Sequence, residues 1–173
     1  MSLAAASPDQ ALLIDLTLDI FSSSLQDFRD AVADIPEHRM IEQPTGLVNH
    51  PAWTLAHLAY AAGFAAQLLE QKVAWDGADE PKRYGPGSIP VADASRYASK
   101  DAILARLGER HALAEAGVRA NFATHFQRPT PEHLRAFAPT IGRIVTYLIA
   151  THESYHLGQL MQWRRAVGLT PRA

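Results

Sequence analysis

His152 and His156 stand four residues apart in the stretch PTIGRIVTYLIATHESYHLGQLMQWRRAVG. On a helix, side chains at that spacing stack about 6 Å apart on one face, so both imidazoles can reach a single metal ion. The same face carries Ile141, Val145, Leu148, Ile149, Gln159, Leu160 and Trp163, the i, i+3, i+4, i+7 pattern that a helix turns toward a core. Burying two imidazoles among such residues without partners costs a few kcal/mol, and a metal supplies the partner. The string HESYH also fits H-E-x-x-H, the zinc-protease helix, but the rest of that motif is missing. The extended form requires Gly at 159 and His at 162, where this chain has Gln159 and Gln162. From Leu157 to Ala173 there is no His, Asp or Glu to act as an acidic or imidazole ligand. A third ligand must come from upstream. Glu153 lies about 100° around the helix from His152 and serves as a general base only if the helix brings it to the pocket.

The elements that must position these residues are helices. The two histidines sit on a last helix over 140–168, ending with Arg164 and Arg165 against the C-terminal dipole, Gly168 at C′ and Pro171 beyond. Asn49-His50-Pro51 opens a helix over 51–71, whose apolar stripe Trp53, His57, Tyr60, Ala61, Phe64, Leu68 includes one histidine. His57 reads either as a hydrogen-bonded core histidine or as the missing third ligand. Trp53 and Phe64 read as core. Ser7-Pro8-Asp9-Gln10 is a capping-box start for a helix over 8–33, with Leu13, Leu16, Ile20, Phe21, Leu25, Phe28 and Val32 as its core face. Ser99 caps a helix over about 100–121, where His111 near the apolar stripe is a candidate fourth ligand. The stretches 34–50, 72–98 and 122–139 are rich in Pro and Gly and read as loops. His38 and His50 read as surface histidines. Loops beyond about 15 residues often form lids or binding surfaces; Lys82, Arg83 and Tyr84 fit a lid over an anionic substrate, whereas the length of 72–98 fits a crossover connection.

Composition narrows the function classes. The 173 residues, 47% hydrophobic with net charge −2, suit one domain spanning 1–173. Neither a nucleic-acid nor an anionic-membrane partner is expected from that charge. The absence of cysteine removes disulfides, thiolate metal sites and Cys nucleophiles. The N-terminal stretch lacks a basic signal-peptide region, and the run ALLIDLTLDIF is too short and too acidic to span a bilayer. A cytoplasmic location is the expectation.

Four amphipathic segments, no credible strand and no internal repeat predict an all-α fold, a four-helix bundle with a long crossover connection. Within it, HPAWTLAHLAY and THESYHLGQLMQWRRAVGL, with a tryptophan four residues before a histidine and then H-x-x-x-H-x-G-Q, resemble the DinB-like (DinB/YfiT) superfamily of metal-dependent enzymes. The resemblance covers essentially the whole chain in helix count, order and loop placement. It implies a divalent metal held by one histidine from the second helix and two from the last: His57, His152 and His156. It also implies activation of a low-molecular-weight thiol for transfer or isomerisation, or hydrolysis of a small-molecule substrate.

Three neutral imidazoles suit zinc, nickel or iron(II) and leave an open coordination position. With no carboxylate or thiolate ligand, the ion keeps its charge and acts as a strong Lewis acid. Gln159 is a candidate to orient substrate or a ligand, Glu153 a candidate base, and Tyr60 and Tyr155 pocket walls or core. The expectation is therefore a metal-dependent enzyme, thiol-S-transferase-like or a hydrolase. The alternatives are a metal- or ligand-binding bundle without turnover and a structural oligomerisation domain without metal; a homodimer fits any of these. Because histidine ligates only when neutral, metal affinity is expected to fall below pH about 6.5.

Overall fold

The computed structural model describes residues 7–170; the readings made of the first six residues and of Pro171 lie outside them. The described residues are all-helical, with no strand and one isolated bridge between Pro129 and Thr140. None of the described helices is long and apolar enough to cross a membrane.

Helix α1, Pro8–Ala33, begins with the expected capping box. The Gln10 amide donates to Ser7 Oγ at 3.3 Å and the Ser7 amide to Gln10 Oε1 at 2.9 Å. Its buried face is narrower than expected. Leu18, Phe21, Phe28 and Val32 are in the core, but Leu13, Leu16 and Ile20 are more than half exposed. At 100° per residue these three form a second stripe, roughly 100° around the helix from Phe21 and Phe28, and only one stripe can face inward.

Helix α2, Pro51–Leu68, is buried on nearly every side because its run of alanines lets neighbours approach closely. It ends three residues before the expected 71. Glu70 takes a left-handed conformation (φ 61°), the Gln71 amide returns to the Ala66 carbonyl and the Glu70 amide to Gln67. That pattern of bonds is a Schellman stop made without glycine, so no residue type announces it. The long connection after it is ordered by a short helix, α3, Glu80–Tyr84. Glu80 is 1% exposed and binds the equally buried Arg110 guanidinium at 2.5 and 3.0 Å. Helix α4, Lys100–His125, runs four residues past the expected end.

The last helical stretch is not uniform. Helix α5, Ile141–Thr146, passes into a π-helical segment, Tyr147–His152, and then into helix α6, Glu153–Ala166. The segment YLIATH holds neither proline nor glycine, so sequence gives no sign of the wider turn. Where it closes, two consecutive residues are buried facing different neighbours: His152 meets α2, and Glu153 meets α1 and α4. The C-terminus of α6 follows expectation, with Gly168 at φ 77° and the Leu169 amide bonded to the Arg164 carbonyl at 2.8 Å. Arg164, however, is no end charge. It is fully buried and binds Asp34 at 2.6 and 3.0 Å and the carbonyls of Ala31 and Thr170, tying the end of α6 to the end of α1.

The apolar core is in two parts. One gathers Phe28, Trp53, Leu107 and Trp163; the other gathers Phe21, Ala65, Val118 and Ile149. On three of the long helices polar residues separate them: Ser24 on α1, Arg110 and His111 on α4, and His152, Glu153 and His156 on the last; on α2, His57 is buried at the edge of the first part. A buried polar layer crosses the middle of the molecule.

Candidate metal centre

Within that layer His57, His152 and His156 converge. They are 7%, 9% and 5% exposed, and one nitrogen from each lies within 4.8 Å of the others. His152 Nε2 is 3.1 Å from His57 Nε2 and 3.2 Å from His156 Nε2. Two nitrogens bound to one zinc ion at about 2.1 Å stand about 3.0 Å apart at a right angle and about 3.4 Å apart at the tetrahedral angle. Both measured separations fall in that interval. Two of the three pairs therefore already stand at the spacing that ligands of one ion require, and the third, His57 with His156, lies within 4.8 Å.

Local structure fixes each ring. His57 is aimed by its backside: its Nδ1 faces the Tyr84 carbonyl at 2.5 Å, so Nδ1 carries the proton and Nε2 is left with a bare lone pair. A carbonyl on the far nitrogen is the usual device for setting the tautomer of a ligating histidine. The Trp53 indole stacks flat on His57, with centroids 4.7 Å apart and planes 8° apart, and donates through Nε1 to Ser88 Oγ at 3.2 Å. Tyr84 and Ser88 both belong to the connection 72–98, which sequence pattern left unread. His152 Nδ1 is buried without a hydrogen-bond partner, and its Nε2 faces only the other two rings. His156 Nδ1 is likewise buried without a hydrogen-bond partner. Three ring nitrogens brought together, two of them on rings whose other nitrogen is unpartnered, fit a shared cation.

The electrostatics keep the rings neutral. Burial pushes His152 down to about 4, helped by the neighbouring His57. Burial, then the charges His152 and His57 would carry, push His156 down to about 3, against an opposing contact from Gln159. Burial also lowers His57, opposed by the Tyr84 carbonyl. Neutral imidazole is the ligating form, so the folded site holds it well below the ordinary histidine range.

The other sequence candidates are placed as follows. Gln159 sits beside His156, and its Oε1 accepts from Asn49 Nδ2 at 2.9 Å. Glu153 is 2% exposed, with Oε2 in a short contact with Ser24 Oγ and Oε1 2.7 Å from His111 Nε2. Both carboxylate oxygens are thus engaged on the α1–α4 side. His111 is not part of the three-histidine group; it pairs with Glu153 and stacks on Phe21 at 3.8 Å. Tyr155 is 63% exposed and packs edge-on against His156 at 5.4 Å, whereas Tyr60 packs on Phe64 and Trp75.

One histidine was misread from sequence. His50, expected at the surface, is completely buried. Its Nδ1 accepts from the Trp53 amide at 3.2 Å as the N-cap of α2, and its Nε2 bonds the Val91 carbonyl at 3.2 Å. It stands where Ser, Thr, Asn or Asp usually cap a helix, immediately before Pro51, and that position was the available signal. Through it the connection 72–98 is held a second time against the start of α2, two turns before His57.

Among known proteins, the family model described as the DinB superfamily matches residues 20–160. No curated protein and no solved structure matches the chain.

Proposed function

We propose, from the premise that this chain belongs to the DinB superfamily, that it binds one divalent metal ion through His57, His152 and His156 and is a metal-dependent enzyme acting on a low-molecular-weight thiol or on water. The observation that carries the metal reading is the pair of Nε2–Nε2 separations, 3.1 and 3.2 Å, in a cluster with no carboxylate. An ion held by three neutral imidazoles keeps its full charge and lowers the pKa of a thiol or water bound to it. Zinc, nickel and iron(II) all suit such a donor set.

The protein's own residues supply the rest. The Tyr84 carbonyl holds His57 in the ligating tautomer, and Trp53 forms a wall on that ring. The buried layer around the rings excludes bulk water, which strengthens every charge interaction made there. Gln159, steadied by Asn49, is positioned beside His156 to orient a substrate by hydrogen bonding. Glu153, occupied by Ser24 and His111, acts as a buried brace for the helix that carries both ligands. We read the four long helical stretches as a four-helix bundle, residues 1–173 as one domain and 72–98 as its long connection; the packing of α2 on α4 and of α1 on α4 and α6 supports this.

The test is elemental analysis of the untagged protein beside a His152→Ala/His156→Ala double variant. About one equivalent of zinc, nickel or iron in the wild type and none in the variant is expected. A wild type that stays metal-free after reconstitution would refute the reading. Thiol-dependent turnover of an electrophile panel then separates an enzyme from a metal-binding module.

A further inference from the structure

We infer that the solvent side of the three-histidine centre is built to seat the uncharged aromatic group of a substrate, with Tyr147 and Tyr155 as its contacts. This rests on the metal reading above and names the substrate class for the same site.

Two exposed phenol rings lie directly against the ligand imidazoles. Tyr155, 63% exposed, meets His156 at 5.4 Å, and Tyr147, 37% exposed, meets His152 at 5.6 Å. Phe137, 62% exposed, extends the apolar surface outward by packing edge-on to Tyr147 at 5.1 Å. Large apolar rings left in water beside a buried polar centre mark a place where a partner group completes the packing.

The helix surface around them has an unusual composition. Between Ile144 and Trp163 its exposed residues are Thr146, Tyr147, Thr151, Ser154, Tyr155, Gly158 and Gln162. None is charged, although the solvent face of a helix is normally where charges collect. Arg143 and Arg165 stand at the two ends. A substrate that presented a carboxylate or phosphate here would find no countercharge on this surface, whereas a neutral ring would lose nothing.

Gly158 adds an independent sign. Glycine weakens a helix interior, and it is usually kept where another element approaches closely. Here a Cβ would meet nothing within 4 Å, so no packing among the described residues accounts for it. It lies three residues after Tyr155, on the same side of the helix, and leaves bare backbone beside that ring for a flat group to cover.

The experiment uses two metal-chelating probes on the zinc-loaded protein, benzohydroxamate and acetohydroxamate, followed by calorimetry and by tyrosine fluorescence. The chelating group is shared, so any difference in intrinsic zinc affinity is common to wild type and variants. The preference for benzohydroxamate over acetohydroxamate should be about tenfold greater in the wild type than in Tyr147→Ala or Tyr155→Ala, with acetohydroxamate binding unchanged. Both side chains are partly or largely exposed, so the variants should fold and load zinc. The same preference in wild type and both variants would overturn the aromatic seat while leaving the metal site standing. Failure of both probes to bind zinc-loaded wild type would overturn the open coordination position, and this inference with it.

Discussion

Lowering the pH from 7 to 5.5 tests the centre in its metal-free form. Three ordinary histidines, each with a pKa of about 6.5, would lose about 600-fold in metal affinity over that interval, because roughly ten-elevenths of each ring is protonated at the lower pH. The folded site behaves differently. With His152 lowered to about 4 and His156 to about 3, both rings stay neutral at pH 5.5 and contribute almost nothing to the loss. His57, also lowered by burial, contributes at most the unperturbed factor of about 8. The expected weakening is therefore about eightfold or less, which moves the sequence-based expectation of a fall below 6.5 to more acidic conditions. The sign for folding is opposite in consequence. Groups whose folded pKa is depressed stabilise the protein above 6.5 and lose that contribution as pH falls toward 4, so helicity must be followed by circular dichroism at each pH. Competition against a chelator of known pH dependence gives the affinity. A loss of several hundredfold with helicity intact would refute the claim that burial holds these rings neutral.

Replacing Arg164 by Met removes the donor to the Ala31 and Thr170 carbonyls and the charge facing the part-exposed Asp34; a loss of about 1–3 kcal/mol in urea unfolding is expected, against less than about 0.5 kcal/mol for Arg165→Ala on the exposed side. Equal effects of the two would show that Arg164 is an ordinary end charge. Arg110→Met removes the only charge paired with the buried Glu80 carboxylate among the described residues and leaves it the Asp76 amide, so stability should fall by about 3–5 kcal/mol. Because Glu80 opens the short helix that ends at Tyr84, metal affinity should fall as well; unchanged affinity in a folded Arg110→Met variant would show that the Tyr84 carbonyl does not depend on this pair.

The two clustered histidines of the last helix were legible because their partnership is local. Spacing of four on a periodic apolar face puts His152 and His156 together whatever the rest of the fold does. His57 was legible only as an anomaly, a histidine on an apolar stripe. Its nearness to the other two is a contact between residues 95 positions apart, and family resemblance supplied what pattern alone left open. Cap chemistry was equally readable at Ser7 and Gly168, where the residue type carries the conformation.

Other features had no local signature. The stop of α2 uses Glu70 in a conformation that glycine normally marks, and the π segment uses residues that would suit an ordinary helix. Arg164 and Arg165 are identical as letters, yet one is sealed in the core and the other faces water, because rotation of 100° per residue turns only one toward Asp34. Leu13, Leu16 and Ile20 share the composition of the core stripe and still lie outside. By itself the sequence determined which long segments are helical and which two imidazoles share a helix face, since both follow from interactions within a few residues. Only the tertiary structure decided which faces are buried, how the connection 72–98 aims His57 through the Tyr84 carbonyl, and that Glu153 braces His111 and Ser24, since each depends on groups that packing brings together from distant parts of the chain.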